Sequence, residues 1–137
     1  MEHNKGRIYW FIGQTTIEKT NLSTRLHKFL KTEKRNWRRD VFYIDETIFQ
    51  DSSMKNIHDF ASYLHENGCD VVVSLVSPNL ETRNLLKDKI GELLTEIYVH
   101  KQDKTEHDIS NFESPVSNFI DIDVTKHSTN TSFSTLI

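Results

Sequence analysis

The clearest chemical pattern in the chain is Gly13-Gln14-Thr15-Thr16-Ile17-Glu18-Lys19-Thr20. A phosphate-binding loop has the spacing Gly, four residues, Gly, Lys, Ser/Thr, between a strand and a helix. Its backbone N–H groups surround a phosphate, its Lys reaches the outer phosphates, and its hydroxyl meets a magnesium ion. Here Gly13, Lys19 and Thr20 are in register, and Glu18 stands where the second glycine belongs. A Cβ at that position narrows the backbone conformations available. A carboxylate there also repels phosphate oxygens. By itself the segment reads equally as an ordinary strand-to-helix turn with a surface Lys and Thr, and both readings stand at this point.

The elements around the segment have the right order to position it. Arg7 to Ile12 is a short apolar run rich in strand formers, ending at Gly13. From Lys19 onward Leu22, Leu26, Phe29 and Leu30 make one helical stripe. Val41 to Ile44 is a second strand, followed by Asp45-Glu46-Thr47. Asp51-Ser52-Ser53 offers N-caps for a helix carrying Ile57, Phe60, Ala61 and Leu64, closed by Gly68. Val71 to Val76 reads as a strand buried on both faces, ended by Ser77-Pro78. Leu85, Leu86 and Ile90 mark a third helix that stops at Gly91. Glu96 to Val99 and Phe119 to Ile122 are further strands. A Ser/Thr-rich tail with Phe133, Leu136 and Ile137 as anchors suggests a last helix. Such alternation predicts an α/β fold: an open, parallel, five-stranded sheet with helices on both faces, three layers in all. Ligands of such folds bind beyond the carboxyl ends of the strands, where the loop after Ile12, Asp45 and the Ser77-to-Arg83 stretch all fall.

Composition bounds the rest. The chain has 137 residues and suits one domain. Its 17 basic and 20 acidic residues leave a net charge of −3, so nothing favours a nucleic acid or an anionic membrane as partner. The run Lys31 to Arg39 contains Trp37 and could bind nucleic acid, but reads more simply as a solvated helix end. A single cysteine, Cys69, excludes an internal disulfide and a cysteine-based zinc site. His58 and His65 lie two helical turns apart with no third ligand suggested. The polar N-terminus and the absence of a long apolar run argue against a secretory signal or a membrane span. A cytoplasmic location is the expectation.

Taken together, four blocks resemble the adenylylsulfate kinase family, whose members phosphorylate adenosine 5′-phosphosulfate at its 3′-hydroxyl. They are Ile8 to Gly13 with Lys19-Thr20, Val41 to Asp45, Val71 to Pro78 with Arg83 beyond, and the pair Glu96 to Val99 and Phe119 to Asp123. The resemblance spans nearly the whole chain at low identity, and implies the fold of the phosphate-loop kinases. It implies ATP held by Gly13, Thr15, Thr16, Lys19 and Thr20. It implies magnesium held by Thr20 and Asp45, with Lys19 and Asp45 as the catalytic pair. Asn56, Arg83 and Phe112 would then face the acceptor nucleotide, with Phe112 stacked on its adenine. A small-molecule nucleotide is the expected partner, and a homodimer a further expectation.

The chain also departs from the family. An Asp-Gly-Asp motif has become Asp45-Glu46-Thr47, and arginines around Asn56-Ile57 are missing. The lid, normally Lys-rich, is reduced to about residues 101–118, with Ile109 to Phe112 as its remnant. Alternatively, Glu113-Ser114-Pro115 matches a Tyr-Glu-x-Pro element of the family. A short lid excludes water poorly. The second functional expectation is therefore an impaired or inactive kinase-like module that keeps the nucleotide-binding fold.

Overall fold

The computed structural model of the chain describes residues 5–32, 39–47, 53–101, 111–125 and 129–136. Five strands form one sheet: β1 (Ile8–Ile12), β2 (Val41–Asp45), β3 (Asp70–Ser74), β4 (Leu94–His100) and β5 (Phe119–Asp123). All pair in parallel, in the order β2-β3-β1-β4-β5. Parallel neighbours need crossovers, supplied by helices α1 (Thr16–Thr32), α2 (Met54–Glu66) and α3 (Leu80–Ile90); α4 (Thr129–Leu136) follows β5.

Side-chain alternation along each strand divides the core in two. Leu22, Leu26 and Leu30 of α1 and Phe133 of α4 pack on Phe11, Val72, Ile97, Val99 and Ile122. Ile57, Ala61 and Leu64 of α2 and Leu86 of α3 pack on the other face, against Ile8, Trp10, Ile12, Ile44, Val71 and Val73. The result is a three-layer α/β fold. Strand β3 has no exposed residue and sits between two strands, which explains its unbroken apolar run. Each fully buried Leu or Ile contributes roughly 1.5–3 kcal/mol.

Element ends follow local chemistry. Ser53 caps α2, its hydroxyl accepting the Asn56 N–H at 3.3 Å. Gly68, with φ 84°, continues the chain past Asn67 in the left-handed conformation that ends helices. Strand β3 stops at Ser74, earlier than the apolar run suggests. Beyond it the backbone still bonds the end of β1: the Leu75 N–H donates to the Phe11 carbonyl at 3.1 Å, and the Val76 carbonyl accepts the Gly13 N–H at 3.3 Å. Leu85, expected on the core stripe of α3, is 64% exposed, and Leu86 takes the buried position. In α4 Phe133 is buried and Leu136 packs beside it. Ile137, Asp51, Ser52, Trp37 and most of the basic run lie outside the described residues. Among the described residues no helix is long and apolar enough to cross a membrane.

Candidate functional site

The strand order turns at β1: α1 carries the chain to one side of it, and the later crossover through α3 returns it to the other. Ligand crevices form at such a point, beyond the carboxyl ends of the strands. The loop after Ile12 lies there. Gly13 has φ 125°, and a Cβ added to it would come within 2.2 Å of the Val99 carbonyl oxygen. Only glycine fits both demands. The Thr15 hydroxyl donates to the same Val99 carbonyl at 3.3 Å. The end of β4 thus fastens the loop from beside it.

Helix α1 starts at Thr16, before the apolar stripe begins, so the loop outside the helix is only Gly13-Gln14-Thr15. The Lys19 N–H donates to the Thr15 carbonyl at 3.0 Å and closes the first turn. Thr16 is exposed at the start of the helix, and Thr20 is half-buried one turn further on.

Lys19 is placed differently from the surface lysine that an ordinary turn would carry. Its side chain is 1% exposed, and its ammonium donates to the Gly13 carbonyl at 2.7 Å. It therefore lies back across the loop and is not a surface lysine. Burial lowers its pKa to about 8, and the nearby Glu46 carboxylate works in the opposite direction. An ammonium carries three donors, and a buried cation is unfavourable unless anions or acceptors surround it. The arrangement favours an anion at the loop.

Glu18, in the position of the missing glycine, forms an ion pair with Lys101 at 2.9 Å. Burial raises its pKa, but the Lys101 hydrogen bond and its own backbone N–H outweigh that, leaving it below the usual carboxylate value. Asp45, at the end of β2, accepts the Thr47 N–H at 3.0 Å and the Thr47 hydroxyl at 2.6 Å. This turn fixes the carboxylate at the carboxyl edge. Two residues earlier on β2 the Tyr43 hydroxyl pairs with Ser23 at 3.1 Å, joining β2 to α1. Burial, the largest influence, raises the Tyr43 pKa.

Magnesium is held in kinases by one or two carboxylates together with phosphate oxygens. Among the described residues no three His, Cys, Asp or Glu side chains converge as a ready metal site. Thr20, Asp45 and Glu46 offer oxygen donors of the type such an ion takes, but among the described residues they do not make an independent metal centre.

The residues expected to face an acceptor lie elsewhere. Arg83 is 4% exposed and bonds Glu96 at 3.0 Å, the Ser77 carbonyl at 2.6 Å and the Glu113 carbonyl at 2.6 Å. Lys87 completes the cluster with a 2.7 Å bond to Glu96. Arg83 is thus neither a solvent-facing helix residue nor a free edge arginine. Phe112 stacks on Tyr98, with ring centroids 5.7 Å apart, and lies under the Arg83 guanidinium at 5.3 Å. Glu113 joins the segment to α3: its carboxylate accepts the Leu80 N–H at 2.8 Å, and its own N–H donates to the Pro78 carbonyl at 2.9 Å. Asn56 is exposed in the first turn of α2. Ile109 and Ser110 lie outside the described residues.

The structure therefore brings Gly13, Thr15, Lys19 and Thr20 into one place, with the end of β2 near enough for Glu46 to act on Lys19. Arg83 and Phe112 form a second cluster with Glu96 and Tyr98. Glu46 and Lys101 escaped sequence reasoning. Glu46 had a usable signal, following Asp45 directly at a strand end. Lys101 had only its place after β4, and its pairing with Glu18 is tertiary.

No family model matches the chain, and no curated protein matches it. Among solved structures it is similar to the crystal structure of APE1195, at 21% identity and a TM-score of 0.77, over 98% of this chain and 94% of that one. At that identity the likeness shows the fold alone.

Proposed function

We propose that this chain is an ATP- and magnesium-dependent phosphotransferase of the adenylylsulfate kinase type, acting in the cytoplasm on the 3′-hydroxyl of adenylylsulfate or a related small nucleotide. The observation that carries the reading is Lys19, a buried ammonium laid across the loop at the switch point of a parallel sheet. In this reading the loop from Gly13 to Thr20 seats the nucleotide phosphates, with Thr15 and Thr16 beside them. Lys19 balances the charge of the outer phosphates. Thr20 and Asp45 would hold a magnesium ion, which would supply charge neutralisation for the transferring group. Asp45, fixed by its turn with Thr47, takes the proton of the attacking hydroxyl. The acceptor oxygen bonds to the γ-phosphorus as the bond to the ADP oxygen breaks.

A second reading has its own observation: Arg83 and Phe112 are engaged inside the protein, so the acceptor side lacks two of its expected partners. That reading keeps nucleotide binding and drops turnover. An assay with ATP, magnesium and adenylylsulfate separates the two. ADP and 3′-phosphorylated product formed in equal amounts, and reduced about a hundredfold or more by Asp45→Asn, support the kinase. Saturable ATP binding without ADP supports the binding module. Failure to bind ATP contradicts both.

A further inference from the structure

The phosphate reading leaves Lys101 unused, yet its position ties it to the loop. The Val99 carbonyl holds Thr15 and lies against Gly13, and Lys101 follows two residues later, just past the end of the same strand. From there its ammonium reaches the Glu18 carboxylate at 2.9 Å. Glu18 sits in the first turn of α1, directly before Lys19. A carboxylate and a phosphate are alternative anions for the same donors. Glu18 and Lys101 keep 29% and 41% side-chain exposure, so the pair can open without disturbing the core.

We propose that Lys101 is a second phosphate-binding cation of this site, and that Glu18 is a tethered carboxylate occupying it in the free protein. Phosphate binding then exchanges one ion pair for another: Lys101 leaves Glu18 and turns to the incoming anion. The proposal rests on the phosphate reading of the loop above. It also gives the Gly-to-Glu replacement a purpose, since it makes the site selective for ligands with enough charge to displace a carboxylate. A polyphosphate meets that condition better than a single phosphate ion.

The test is calorimetric titration with inorganic tripolyphosphate, using the full chain and Glu18→Gln, Lys101→Met, Lys101→Arg, the Glu18→Gln/Lys101→Met double variant, and Lys19→Met. Glu18→Gln is expected to tighten binding and Lys101→Met to weaken it, each by about threefold, the scale of a part-exposed ion pair. Lys101→Arg should keep the affinity. Loss of Lys101 should weaken binding more in the Glu18→Gln background, where it is already free. If Lys19→Met abolishes binding while Lys101→Met leaves it unchanged in both backgrounds, the role of Lys101 is overturned and the phosphate loop stands. If no variant binds tripolyphosphate, both fall. Circular dichroism of each variant separates unfolding from lost contacts, and Lys101→Arg gives a fold-neutral comparison.

Discussion

Lys19 carries a conflict between stability and use. A side chain that is 1% exposed and holds an ammonium on one carbonyl is poorly solvated for its charge. Burial, partly offset by Glu46, lowers its pKa to about 8. Replacing Lys19 by Met should therefore raise stability at pH 7, by about 1–3 kcal/mol, while removing phosphate binding. Urea unfolding checks the first part; an unchanged or lower midpoint contradicts it. The pH dependence follows with a definite sign. Below pH 8 the lysine is charged in both folded and unfolded states, and its unfavourable burial is felt in full. Between pH 8 and its ordinary value the unfolded chain binds more protons, so this group makes stability rise with pH. Phosphate affinity should run the other way and weaken above pH 8. The turn from Gly13 to Thr20 was legible from type and spacing because a strand-to-helix turn is set locally, and Asp45 was legible as a strand end. The burial of Lys19 was not legible. Its ammonium turns back to Gly13, in a loop held from beside by the Val99 carbonyl of β4, a contact between residues far apart in sequence.

The elements were legible wherever period and breakers agree. Strand β1 ends at Gly13, α2 starts at its Ser cap and ends before Gly68, and β3 reads as doubly buried. Reading failed where a tertiary partner takes over. Helix α1 extends back to Thr16 although Ile17, the apolar residue of its first turn, is 71% exposed and lies off the core stripe, and Leu85 is exposed because α3 turns Leu86 inward. Arg83 shows the same limit. On sequence it is a polar residue beyond a Ser-Pro turn. In the fold it joins α3, β4 and the segment around Glu113 through three hydrogen bonds. Its place is a buried ion-pair cluster in which Glu96 is 2% exposed. Removing one member of a buried pair leaves the other uncompensated. Arg83→Met should lower stability by about 3 kcal/mol by urea unfolding, with Lys87 retaining part of the charge balance. A loss under about 1 kcal/mol would show that the cluster does not hold the segment around Glu113 in place.

At the scale of the whole molecule, the fold and the loop argue in the same direction. A parallel sheet ordered β2-β3-β1-β4-β5 puts the loop after β1 at its switch point. The chain places Gly13, Lys19 and Thr20 there. The same sheet carries Arg83, Phe112 and Glu113 as a brace on the β4 side, where an acceptor pocket was expected. Both functional readings therefore share the phosphate seat. Calorimetric titration of magnesium-ATP into the wild-type chain and into folded Lys19→Met tests it most directly. Saturable binding by the wild type at millimolar or lower concentration is expected, weakened at least about tenfold by Lys19→Met, the scale of a lost charge-assisted hydrogen bond. No binding by the wild type, or equal binding by both proteins, would contradict it.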